Sequence, residues 1–262
     1  MILYCGFKAG DPILFLVNVW FKTFLGRPRP YQVTVPGKPK IIPALPALDS
    51  YGIPSGHTQG SVVLFGFLAG EVKKIAFTIL MVLLMILTAL SRLVHGVHYP
   101  QDIILGAILG ILILFVYPLI YRAGSRFLSN FILPAQGVLS ILLFTGLVYL
   151  YKIFISDTRS FHSYISLAAV FSFSLFGFSL EDRYVRFATK GGLIIRLLRF
   201  TAGIILTFGI YIGLKILFGF FKAPEDSFFG LTLQTLRYGI IGLWISAGAP
   251  ALFVKLKLSR RE

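Results

Sequence analysis

The 262 residues are 56% hydrophobic and 13% charged, with a mean hydropathy of +0.84, which excludes an ordinary soluble domain and implies lipid as the solvent. The formal charge of +15 would suggest nucleic acid in a soluble protein, but the cations cluster between apolar segments instead of forming one stripe; they read as topology signals, and nucleic acid is set aside as a partner. A single cysteine, Cys5, excludes an intrachain disulfide.

About 20 apolar residues cross the ~30 Å hydrocarbon layer as a helix, the form that satisfies its backbone hydrogen bonds within one segment. The N-terminus lacks the features of a signal peptide, so the first apolar segment is expected to stay in the mature protein. Helices are expected near residues 10–25, 57–71, 74–91, 101–121, 131–151, 162–180, 194–219 and 231–254, giving an all-α polytopic bundle of about eight transmembrane helices. The second is short and interrupted by Gly60 and Gly66, which suits a helix that begins inside the protein. Between the first two helices, Arg27 to Pro54 carries Pro28, Pro30, Pro36, Pro39, Pro43, Pro46 and Pro54, seven of the thirteen prolines. A connection this long and this stiff is expected to follow an ordered path over a site.

Loops near 26–56, 92–100, 152–161 and 220–230 should share one side, with both termini on the other. The second side holds Lys8, Lys73, Lys74, Arg122, Arg126, Arg183, Arg186, Lys190, Lys255, Lys257, Arg260 and Arg261. The positive-inside bias makes that side cytoplasmic and turns the long loop outward or into a lumen. Residues 1–125 contain every polar constellation of chemical interest, and residues 126–262 read as additional membrane helices whose role the sequence leaves open.

Three clusters fall on the loop side: Lys22 with Arg29-Pro30 in KTFLGRPRP, then Pro54-Ser55-Gly56-His57, then Ser91-Arg92, His98 and Asp102 in SRLVHGVHYPQD. This inventory suits phosphoryl transfer, in which charge spread over equatorial oxygens is stabilised by fixed cations and N–H donors. Lys22, Arg29 and Arg92 supply charge, and Ser55 and the Gly56 amide supply hydrogen bonds at the start of a helix. His98 and Asp102 are four apart, so a helical turn would put carboxylate and imidazole on one face, although Pro100 makes the turn a helix start. That pair is a nucleophile with its orienter, and His57 is left for proton transfer.

The pattern Lys22-x6-Arg29-Pro30, Pro54-Ser55-Gly56-His57 and Ser91-Arg92-x5-His98-x3-Asp102 resembles the three-part signature of the type 2 phosphatidic acid phosphatase superfamily, which includes the vanadium haloperoxidases. The resemblance covers roughly residues 10–121. It implies a metal-independent lipid phosphate phosphatase without cofactor, with His98 as nucleophile, His57 as acid, Asp102 as orienter, and Lys22, Arg29, Ser55, Gly56 and Arg92 as the phosphate cradle. Members of that family usually carry more membrane helix before the first motif. Either the chain is shortened there or its C-terminal helices replace the packing.

Any one of Lys22, Arg29 and Arg92 alone would read as a cation snorkelling from a helix end, and a lone Pro-Ser-Gly-His as a turn. Their joint occurrence favours catalysis. His95 lies off the pattern and reads as structural or pocket-lining, His162 as a plain loop histidine. Arg196, Arg199, Lys215 and Arg237, within or beside apolar segments, are either functional or snorkelling. The cations around His95, His98 and Asp102 disfavour a bound metal. The expected partners are the bilayer and a substrate with an apolar tail, a lipid phosphate monoester or polyprenyl diphosphate. The rival readings are a transporter or scaffold that binds a lipid phosphate, and a vanadate-dependent haloperoxidase, which the membrane setting opposes.

Overall fold

The computed structural model describes residues 10–34, 36, 50–155, 160–188 and 191–261. Among these, eight helical rods follow one another: α1 (Gly10–Leu25), α2 (Gly56–Val72), α3 (Ile75–Val94), α4 (Pro100–Ser129), α5 (Leu133–Phe154), α6 (Phe161–Val185), α7 (Leu193–Gly219) and α8 (Phe228–Lys255). The last turn of α6 is π-helical, and a second π-helical turn, Trp244–Gly248, interrupts α8. No strand occurs among the described residues; one isolated antiparallel bridge joins Phe187 to Arg261. Helix α4 runs eight residues beyond the expected end at 121. An apolar run sets where a helix leaves the lipid, not where its backbone hydrogen bonds stop.

Five of the rods, α3, α5, α6, α7 and α8, are long and apolar enough to cross a membrane, and Pro100–Val116 of α4 is a shorter apolar stretch. Their outward faces are apolar: Ile75 on α3 is 78% exposed and Ile194 on α7 74%. The buried positions, by contrast, include Ser55, Gln59, Asp102, Ser172 and Ser246. A surface richer in large apolar groups than the interior belongs in lipid. The chain is therefore an all-helical integral membrane protein.

Helix α2 packs between α3 and α4, and α6 lies along α8. Close approach in the second pair requires Gly242, where an added Cβ would stand 2.6 Å from Val170 O. Helix α1 joins the two groups. Leu14 packs with Val63 and Ile113, while Leu16 packs with Tyr151, Ile155, Tyr164 and Ala168. The ends alternate, as short connections require. Trp20 near the end of α1 meets Phe154 at the end of α5; Tyr151 stacks near Phe161 at the start of α6; His162 bonds to Asp226 and Gln234 at the start of α8. One end of the bundle thus gathers the end of α1, the starts of α2 and α4, the end of α3 and the loop between α7 and α8.

Candidate active site

Helix α1 stops at Gly26, whose φ of +58° allows the left-handed turn that returns its N–H to Lys22 O at 3.0 Å. The reversal brings the Arg29 side chain back over the end of the bundle. Arg29 is 2% exposed and three of its five donors are held by the protein: Nε by Ser50 O at 2.8 Å, Nη2 by Ser50 Oγ at 3.0 Å and Nη1 by Val97 O at 3.1 Å. These bonds and Gly52 N→Arg27 O at 2.9 Å pin both ends of the long connection beside the site. The stretch expected to cover the site, including Pro39, Pro43 and Pro46, lies outside the described residues.

Ser55 is fully buried and caps α2, its hydroxyl accepting from Thr58 N and Thr58 Oγ1. Its own N–H donates to Asp102 O at 2.9 Å, which fastens the start of α2 to the start of α4. Gly106 permits this, since a Cβ there would stand 2.6 Å from Ser55 O. Beneath, Asn18 on α1 donates to Gln59 Oε1 at 2.6 Å, and a Cβ on Gly56 would meet Asn18 Oδ1 at 3.1 Å. The polar residues Thr58, Gln59 and Ser61 are buried, so α2 does begin inside the protein.

His98 and Asp102 do pair, but not along a helix. Helix α4 starts at Pro100, so His98 precedes it and Asp102 sits in its first turn. Asp102 Oδ2 accepts from Tyr99 N at 2.9 Å and lies 3.2 Å from His98 Nδ1. A carboxylate acceptor at Nδ1 fixes the tautomer that carries its proton there and leaves Nε2 unprotonated, with its lone pair as an acceptor. Nε2 lies 3.3 Å from Arg29 Nη1. Asp102 Oδ1 is buried without a hydrogen bond; Arg27 Nη1 approaches it to 3.6 Å, too long for a hydrogen bond but close enough for an ion pair. Burial holds the His98 imidazole below the usual histidine value of 6.5; the Asp102 bond opposes this, and the charges of Arg29 and Lys22 reinforce it.

His57, exposed in the first turn of α2, lies within the electrostatic reach of Arg92, His98, Lys22 and Arg29. Lys22 in turn feels Arg29 and Asp102. The three sequence clusters therefore converge at one end of the bundle: a ring of cations, a capped helix start and two imidazoles. Such an arrangement can bind a tetrahedral anion and place an unprotonated ring nitrogen against it. Among the described residues, no group of three or more His, Cys, Asp or Glu side chains comes together to hold a metal ion.

His95 stays apart, its Nδ1 bonded to Ser91 O at the end of α3, a structural role. His162 is not a loop residue: it sits in the first turn of α6, held by Gln234 and Asp226. Sequence reasoning missed Arg27, which also lies 4.4 Å over the Tyr99 ring, and missed Ser50, Asn18 and Gln59. Of these only Arg27 carried a signal, as the first arginine of GRPRP.

Residues 9–126 match the PAP2 superfamily, and residues 164–261 match the PAP2 superfamily phosphatase transmembrane extension. A curated relative, the probable lipid phosphate phosphatase 4 of Arabidopsis thaliana, is 32% identical over 35% of this chain and 39% of its own length. The chain thus spans well under two thirds of that relative. No solved structure matches. All three sequence clusters fall inside the first matched region.

Proposed function

We propose that this chain, which belongs to the PAP2 superfamily, hydrolyses a lipid phosphate monoester or polyprenyl diphosphate by way of a phosphohistidine on His98. Family and relative support a phosphatase, and the membrane setting supports a substrate with an apolar tail. One observation carries the mechanism: Asp102 holds His98 Nδ1 at 3.2 Å while Arg29 stands 3.3 Å from Nε2. Nε2 is the unprotonated nucleophile, and the Arg29 Nη1 that it accepts from turns to the oxygens of the phosphoryl group under attack.

Lys22, Arg29 and Arg92, with Ser55 and the Gly56 amide, hold the phosphoryl oxygens and neutralise the charge that spreads over them. The N–P bond forms as the P–O bond to the leaving group breaks, and His57 gives that oxygen its proton. His57 then takes a proton from water as the water oxygen attacks phosphorus. The N–P bond breaks, and phosphate and free His98 are released. The concentration of cations around the two histidines favours this metal-free route.

The test is phosphate release from a panel of lipid phosphates and diphosphates, by purified protein in detergent with a chelator present. Wild type should turn over and His98→Ala should fall by at least about a thousandfold. His57→Ala, given a substrate with a good leaving group, should accumulate an acid-labile, alkali-stable phosphoenzyme. Turnover that survives in His98→Ala, or that the chelator abolishes, would sink the proposal.

A further inference from the structure

Arg237 lies inside a membrane-crossing helix and is used by nothing described so far. Its guanidinium stands 5.5 Å from the Tyr211 ring on α7 and 5.0 Å from the Tyr238 ring on α8. Its Nε is buried without a hydrogen-bond partner, and among the described residues no carboxylate pairs with it. The Tyr211 and Tyr238 hydroxyls also make no hydrogen bond among the described residues. A guanidinium has five donors and cannot shed its proton, so leaving it unpaired in an apolar setting is costly.

Depth limits what can satisfy it. Helix α8, 28 residues long, measures about 42 Å against ~30 Å of hydrocarbon, so about 6 Å projects at each end. Arg237 is nine residues past Phe228, about 13 Å along the axis and thus about 7 Å inside the boundary. An arginine side chain spans that distance and leans toward the helix N-terminus. Lys215, exposed and one turn beyond Tyr211 on α7, lies about 6 Å from the end of its helix, at the headgroup level. This boundary is on the active-site side, because α8 begins where His162 meets Asp226 and Gln234.

We propose that Arg237, Tyr211, Tyr238 and Lys215 form a second anion site, which takes the phosphate of an anionic membrane lipid in the leaflet on the active-site side. The guanidinium binds the phosphate oxygens as a fork, the two rings hold its plane, the tyrosine hydroxyls donate further hydrogen bonds and Lys215 adds charge. Deeper in the bilayer α7 presents apolar side chains, Ile205 and Phe208 being 69% and 63% exposed, and so accommodates the acyl chains. The region matched as a transmembrane extension thereby acquires a lipid-binding role separate from the catalytic cradle.

The experiment titrates phosphatidylglycerol into phosphatidylcholine nanodiscs holding the full chain and follows the thermal midpoint of unfolding. Wild type should rise saturably, and Arg237→Gln should show an apparent affinity weaker by about tenfold, the loss of one charge-assisted hydrogen bond. The active-site cradle is common to both proteins and cancels in the comparison. Arg237→Lys keeps a cation in the span, guards against a folding failure of the glutamine variant, and should also bind several-fold more weakly for lack of the fork. An equal rise in all three proteins would overturn the proposal. So would a rise that inorganic phosphate reproduces in phosphatidylcholine alone, which would make the ligand free phosphate and not a lipid headgroup.

Discussion

One oxygen of Asp102 serves both the Tyr99 amide and His98 Nδ1, so the imidazole is oriented by a group that the start of α4 already holds in place. The charges around the ring then set its working pH. Because burial, Arg29 and Lys22 hold the His98 imidazole below the usual 6.5, the ring is unprotonated at and above that pH, as the proposed nucleophile requires. The acid limb of kcat/KM for wild type should fall below pH 6.5. Removing a neighbouring cation favours the protonated ring, so the residual activity of Arg29→Met should show that limb displaced upward in pH. A limb that stays put or moves down would separate Arg29 from the histidine. At this scale the sequence was legible wherever residue types recur at fixed spacing, as in the three clusters. Ser50, Asn18 and Gln59 were not legible, because their contacts join residues 21 to 41 positions apart and only the tertiary fold creates them. The His98–Asp102 spacing was legible as a pair, and Pro100 marked the helix start, not a shared helical face, that brings them together.

Helices α2 and α4 meet where two backbones nearly touch, and the site depends on that meeting. Gly106→Ala would place a Cβ 2.6 Å from Ser55 O, which is backbone and cannot swing aside. The expected result is destabilisation by about 1 to 3 kcal/mol and a larger loss in kcat than in KM, since the Ser55 N–H to Asp102 O bond must lengthen. A thermal melt and steady-state kinetics on the purified variant check both parts. Gly70→Ala, where an added Cβ meets nothing within 4 Å, is the control and should change neither. The helices themselves were readable from runs of apolar residues. Their ends were less so: α4 outruns its apolar stretch, and α8 starts three residues early because Ser227 caps it, accepting from Gly230 N. The π-helical turns in α6 and α8 left no trace in composition.

For the whole molecule, the end opposite the site carries Lys73, Lys74, Arg183, Arg186, Lys255, Lys257, Arg260 and Arg261. On the positive-inside bias we propose that this end faces the cytoplasm and the cradle faces outward or into a lumen. With the protein in the plasma membrane, a membrane-impermeant maleimide applied to intact cells should label Lys222→Cys, in the loop at the site end, and spare Lys257→Cys, both made in a Cys5→Ser background. The reverse pattern would invert the orientation. Among the described residues, the order of the helices could be read largely from apolar runs, because lipid imposes the helix. Which helix touches which could not, because outward faces are uniformly apolar and carry no mark of their neighbour.

Helix α1 has a further consequence, because the rod that presents Lys22 leans on the end of α5 and the start of α6, through Leu16 against Tyr151 on the one and Tyr164 and Ala168 on the other. A chain cut after residue 126 would keep every proposed catalytic side chain and lose the bearing surface under one of them. Such a fragment should lack the proposed turnover until the severed part is supplied in trans, which would make the C-terminal helices a mechanical component of the site and not a passenger.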